Sequence, residues 1–249
     1  MSLDLDKFLR GERNFTQSQC VKAERHREIA RRAFDAYDRF ISGGAPIEEC
    51  LREIVTSARC DGMYVGGSAG GTLLNILAWD HELARDAIRD LLRNGDRSAR
   101  FVAIGALERP RILMSDFVEE ILRSGLSDGL LDIRKHAACK ICELGVTSLL
   151  PHLIRMRQEL TDPDDQYWVD LYIDLTRDGY SYAGPSLENV RKSDGTVSRE
   201  WMCGMRVRCE YNGIGHCIGG GVRLAEMETS GPAAVAQKIR DKWLAECRS

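Results

Sequence analysis

Proline is scarce in this chain, with 6 in 249 residues. So few donor-less, fixed-φ positions leave room for long helices and argue against a loop-rich β fold. An excess of charge of either sign is also lacking. The net charge is −3 and the isoelectric point about 6.0, which excludes a general pull toward nucleic acid or anionic membrane. No stretch approaches the roughly 20 apolar residues of a membrane helix. Residues 1–15 carry no uninterrupted apolar run, so a secretory signal is not expected there and a cytoplasmic location is. No Gly-Lys-Ser/Thr ending completes a phosphate loop, no Gly-x-Ser-x-Gly elbow stands between a strand and a helix, and no His-Glu-x-x-His occurs. A nucleotide site or a nucleophilic triad is therefore not expected.

Cysteine is not scarce, but its nine residues are an odd number in a long chain, which favours reduced thiols over a disulfide framework. Cys203, Cys209, His216 and Cys217 have the right softness for zinc. Their spacing, C-x5-C-x6-H-C, lacks paired clips two residues apart. His136, Cys139 and Cys142 fall at three-residue steps in one helical segment, where Cys142 reads as a small core residue. Structural thiols are expected for both groups, with no metal and no cofactor.

What the chain does have is helical periodicity. Ile29, Ala33, Tyr37 and Ile41 recur at four-residue steps within 16–42, Gly43 and Gly44 stop that helix, and Pro46 opens a second with Ile47, Leu51, Ile54 and Val55 inward. From 62 to 182 a weak repeat of about 34 residues takes over, a period typical of two-helix units. Arg100 aligns with Arg134, Ala103 with Ala137, and Leu107 with Ile141. Pro110 breaks one pair of helices, and Asp162-Pro163 launches the last helix.

Asp132-Ile133-Arg134, then Ala137-Ala138, Leu144-Gly145 and Leu149-Leu150-Pro151-His152-Leu153, resemble a HEAT-type repeat. Asp96 and Arg100 keep part of the pattern. The resemblance implies an all-α fold, an α-α superhelix of HEAT-like pairs. In that family the Asp and Arg positions tie adjacent repeats and the alanines permit close packing. The expected organisation is 1–61 as a capping helical pair, 62–182 as HEAT-like repeats, and 183–249 as a C-terminal appendage. Within the appendage AGPSLENVRKSDGTVSREW reads as a loop. Met205, Val207 and Cys209 alternate, giving a β-hairpin reading around Asn212-Gly213 ahead of a terminal helix.

Function is less legible. The preferred site is the acidic-aromatic helix 162–178, where Asp170, Asp174 and Asp178 stand four apart beside Trp168 and Tyr172, with Asp165 in the first turn. Like charges at that spacing destabilise a helix by about 0.2–0.5 kcal/mol per pair, which a basic partner would offset. The competing interpretation makes the aromatics core and the acids a solvated face. Residues 22–32 place five cations against two acids and read as a solvated basic face. The glycine-rich runs 66–71 and 213–221 read as close packing and a bent hairpin. The expectation is a non-catalytic protein-binding scaffold or inhibitor, of the immunity-protein kind, holding a basic protein partner and no membrane. The alternative is a HEAT-like DNA glycosylase with Trp168, Asp170 and Arg134 at its site.

Overall fold

A computed structural model of the chain describes residues 17–60, 65–107, 116–211 and 214–248. The fold is mostly helical, with a small three-stranded antiparallel sheet near the C-terminus. The chain divides into two compact units, Met1–Lys140 and Ile141–Ser249, a cut that falls inside the segment 62–182.

In the first unit, α1 (Gln17–Ile41) buries Ala30, Ala33 and Phe34, while Ile41, expected inward, is half exposed at the helix end. Gly43, at φ 77°, ends it, and Gly44 N–H donates to the Arg39 carbonyl at 2.8 Å. The second helix, α2 (Ile47–Ala58), buries Leu51 and Ile54, as their spacing predicts. Then come α3 (Val65–Ala78), α4 (Glu82–Asn94), α5 (Arg97–Gly105), α6 (Asp116–Leu126) and α7 (Leu131–Leu144), which crosses the division. The expected breaker Pro110 lies outside the described residues. Gly70 and Gly71 of α3 are packing positions: a Cβ on Gly70 would sit 2.2 Å from the Ala58 backbone nitrogen, and one on Gly71 3.2 Å from Val102 Cγ1.

Several polar contacts between helices of this unit join residues 28 to 35 apart. Arg59–Asp90 (3.2 Å), Asn75 to the Ala106 carbonyl, and Arg89–Glu120 (3.0 Å) each join residues 31 apart. Arg100 grips both oxygens of Asp128, 28 residues on, and Arg97 pairs with Asp132, 35 residues on. Phe101 stacks on His136 with ring centroids 3.7 Å apart. Asp96 spends its side chain capping α5 through Ala99 N–H.

In the second unit, Gly145 (φ 66°) ends α7, a 3-10 turn at Thr147–Leu149 leads to α8 (Leu150–Glu159), and α9 (Pro163–Arg177) follows. As the sequence implies, Asp162 caps α9, accepting from the amides of Asp164 (2.9 Å) and Asp165 (3.1 Å). Strands β1 (Tyr180–Arg191), β2 (Val197–Tyr211) and β3 (Ile214–Arg223) pair in that order, before α10 (Leu224–Ser230) and α11 (Pro232–Arg248). The hairpin reading agrees with β2 and β3; its turn, Asn212-Gly213, lies outside the described residues. The loop reading of 183–201 does not hold. That segment is most of β1, the turn at Asp194-Gly195, and the start of β2. Pro185 is tolerated in this strand because it lies on an edge beside a register shift, where a missing N–H costs little. The mostly helical expectation with β structure in the appendage therefore holds at that level, and the appendage carries three strands where a two-stranded hairpin was expected.

Cys203, Met205, Val207 and Cys209 bury one face of β2 against Val222, Met227, Val235 and Ala236, with Ile239 and Trp243 of α11 packed at the margin. Arg206 and Arg208 alternate onto the other face.

The Gly70 contact makes a direct prediction. Gly70→Ala should lower stability by about 1–3 kcal/mol through overpacking, read as a lower denaturant midpoint at unchanged slope.

Candidate functional site

Helix α9 shows how the expected site residues are distributed. Val169, Leu171, Ile173 and Leu175 are buried, Tyr172 is half-buried, and Tyr167 (54% exposed) and Trp168 (38%) face outward. The two exposed rings meet edge to face at 5.7 Å, and Trp168 leans on Tyr172 at 6.4 Å. The aromatics are therefore split: Tyr172 packs against the core cluster of Cys142, Leu171 and Leu175, while Tyr167 and Trp168 make a surface.

The acids behave differently. Arg157 of α8 binds Asp170 at 2.8 Å. Arg177 binds Asp174 at 2.9 Å and Asp178 at 2.7 Å, and holding two carboxylates raises its own pKa. Asp174 also accepts from the Ser181 hydroxyl at 3.0 Å. Asp164 and Asp165 sit in the first turn, where the helix dipole favours negative charge. The like-charge strain at i, i+4 is thus relieved within the chain, and the stripe presents little uncompensated charge.

Beside Tyr167 a cleft of about 510 Å³ opens between α9 and the sheet. Tyr167 and Leu171 line one side, and Tyr182 (53% exposed) and Arg206 the other. Gly204, Gly219 and Gly220 contribute bare backbone, and a Cβ on Gly220 would meet nothing within 4 Å. The Arg206 guanidinium lies 5.9 Å from the Trp168 ring centroid, a cation–π distance. Two exposed aromatic rings and an arginine thus line one depression, and a third ring, Trp168, stands beside Tyr167 and Arg206.

Strand β3 reaches this place through a close backbone approach. A Cβ on Gly215 would lie 1.6 Å from the Glu143 carbonyl oxygen at the end of α7, so only glycine fits. Arg208 donates through Nε to that same carbonyl at 3.1 Å, so a side chain of the sheet answers a helix-end acceptor.

The remaining candidates do not assemble. Cys203 and Cys209 face the α11 core, and His216, paired with Cys209, stands 5.1 Å from the Trp243 ring. Cys217 pairs with Arg208 and so points to the opposite face. Among the described residues no three His, Cys, Asp or Glu side chains could hold a metal ion. Gly66-Gly67-Ser68-Ala69-Gly70 has the letters of a nucleophile elbow, but it lies within α3. In the basic segment, Arg32 pairs with Glu53 at 2.7 Å and Arg31 with Glu28 at 3.8 Å. The pairing of Glu28 with Arg32 suggested by their spacing is thus replaced by one between helices. Of the glycosylase trio, Asp170 is already engaged by Arg157, and Arg134 belongs to the other unit.

Sequence reasoning missed Tyr182 and Arg206. Tyr182 closed the segment assigned to helical repeats, 62–182, but lies in β1; Arg206 was signalled by the alternation of Met205 and Val207, which forces it onto the opposite face. No family model, curated protein or solved structure matches this chain.

Gly215→Ala tests the placement of β3. The methyl cannot be accommodated beside the Glu143 carbonyl, so a loss of about 3 kcal/mol is expected, with weakened amide-exchange protection in β3.

Proposed function

We propose that the protein is a non-catalytic binding protein that captures a protein partner on the aromatic face of its second unit. The observation that carries this is the set of Tyr167, Tyr182 and Arg206 lining one cleft, with exposed Trp168 beside Tyr167 and Arg206. Tyrosine, tryptophan and arginine dominate the binding energy of protein interfaces, because each buries a large rigid surface while keeping a polar contact. Half-exposed rings held by their neighbours lose little further freedom when a partner covers them. The acids Asp165, Asp170, Asp174 and Asp178 border this face. Since Arg157 and Arg177 already compensate three of them, aromatic burial rather than a basic partner's charge is the main source of affinity.

The first unit is read as a short array of HEAT-like helix pairs. Support comes from the polar contacts 28 to 35 residues apart, which match the repeat period and tie each helix pair to the next. Arg97–Asp132 uses the aspartate position that the HEAT-type resemblance assigns to joining repeats. An inhibitor or adaptor role is consistent with helix pairs in one unit and a docking face on the other. The immunity-type role rested on acidity and loses that support.

The test is affinity purification from the native host, followed by dissociation constants for the co-purified partner against variants. Trp168→Ala and Tyr167→Ala should each weaken binding by about 2 kcal/mol, roughly 30-fold. Asp170→Ala should change it by less than about fivefold, since an exposed ion pair contributes about 1 kcal/mol at most. Unchanged affinity in a Tyr167, Trp168 and Tyr182 triple alanine variant would overturn the proposed face. Steeply salt-dependent binding to duplex DNA would instead revive the glycosylase alternative.

A further inference from the structure

Two cysteines separated by 75 residues meet on the sheet face opposite the α11 core. The Cys142 Sγ, near the end of α7, lies 3.6 Å from the Cys217 Sγ on β3. Both are thiols. Cys142 is fully enclosed with Leu171 and Leu175, whereas Cys217 is exposed to solvent. The approach is built into the fold. Gly215 rests on the Glu143 carbonyl, one residue beyond Cys142, and Arg208, the cross-strand partner of Cys217, donates to that carbonyl.

We propose that Cys217 and Cys142 are a hydroperoxide-reactive pair, in which surface Cys217 is the attacking thiol and enclosed Cys142 the resolving one. The Cys217 pKa is lowered, chiefly by the hydrogen bond with Cys142, and also by Arg208 and Arg206; partial burial and Glu143 oppose this. That balance enriches the nucleophilic thiolate at the one sulfur of the pair that solvent reaches.

The chemistry balances in two displacements. The Cys217 thiolate attacks one oxygen of hydrogen peroxide, the O–O bond breaks, and the departing hydroxide takes a proton to leave as water, with Cys217 a sulfenic acid. The Cys142 sulfur then attacks the Cys217 sulfur. The S–O bond breaks, and hydroxide leaves as a second water with the proton from Cys142. Two thiols and one peroxide give one disulfide and two waters; each thiol yields one electron and peroxide accepts both. The sulfurs must close from 3.6 Å to about 2.05 Å, a shift within reach of side-chain rotation. The new bond fastens β3 to α7, two residues from Gly219 in the cleft wall.

The experiment treats the full-length reduced protein with hydrogen peroxide, then counts thiols under denaturation and maps peptides without reductant. The expected result is loss of two of the nine thiols and a Cys142–Cys217 linked peptide, reversed by a dithiol reductant. In Cys142→Ala the sulfenic acid should persist on Cys217 and be trapped by a 1,3-dione. In Cys217→Ser, Cys142 should remain a thiol. If Cys142→Ala fails to fold, the wild-type peptide map decides alone. All nine thiols surviving, a Cys139–Cys142 bond, or oxidation starting at Cys60 or Cys247 would each overturn the assignment.

Discussion

A single missing side chain governs the second unit. Strand β3 can lie against the end of α7 only because residue 215 has no Cβ to strike the Glu143 carbonyl. That contact replaces side-chain packing with backbone against backbone, and it fixes the height of β3 above the helix. Several features inherit it. Arg208 can reach the same carbonyl, Cys217 is delivered to Cys142, and Gly219 and Gly220 arrive beside Tyr167 and Leu171. A helix end normally leaves carbonyls without donors; here a guanidinium from the sheet answers one of them, so closure of the helix and docking of the strand are the same event.

Charge in this protein is mostly spent on its own chain. In the first unit Arg89 holds Glu82, Asp86 and Glu120, which raises the arginine pKa and lowers that of Glu82. Such exposed pairs contribute little each to stability. Their value lies in register, because a bidentate guanidinium accepts a carboxylate in few geometries. The Arg100–Asp128 pair is the exception in burial, and it secures the turn ahead of α7: Asp128 also accepts the Leu130 amide. The same economy neutralises α9, so an acidic stripe in the sequence is not an acidic surface on the molecule.

Much of the helical part was legible, because its signals are local. Helical spacing places Leu51 and Ile54 inward, Asp162-Pro163 starts α9, and Gly43 and Gly145 end helices with positive φ. The illegible parts are those decided by contacts distant in sequence. The stretch 183–201 reads locally as a loop, yet pairing between β1 and β2 makes strand of most of it. Ile41 fitted the apolar period of α1, yet no neighbour covers it enough to bury it. Asp170, Asp174 and Asp178 were seen as an unbalanced row because their arginines lie on α8 or at the close of the same helix. Cys142 read correctly as core, but nothing local to it announces Cys217.

Alternation in β2 resolves why one strand serves both stability and surface. Odd positions from Cys203 to Cys209 carry thiol, thioether and aliphatic groups into the α11 core, where no polar partner is needed. Even positions carry Gly204, Arg206 and Arg208 to the face that meets α9 and the end of α7. A one-residue slip would exchange these sets, burying two guanidinium groups without partners and exposing the core. The register is therefore held by a penalty far larger than any single contact gains. That same penalty keeps Arg206 beside Trp168 and leaves the aromatic rings around the cleft with a fixed geometry, ready to be covered.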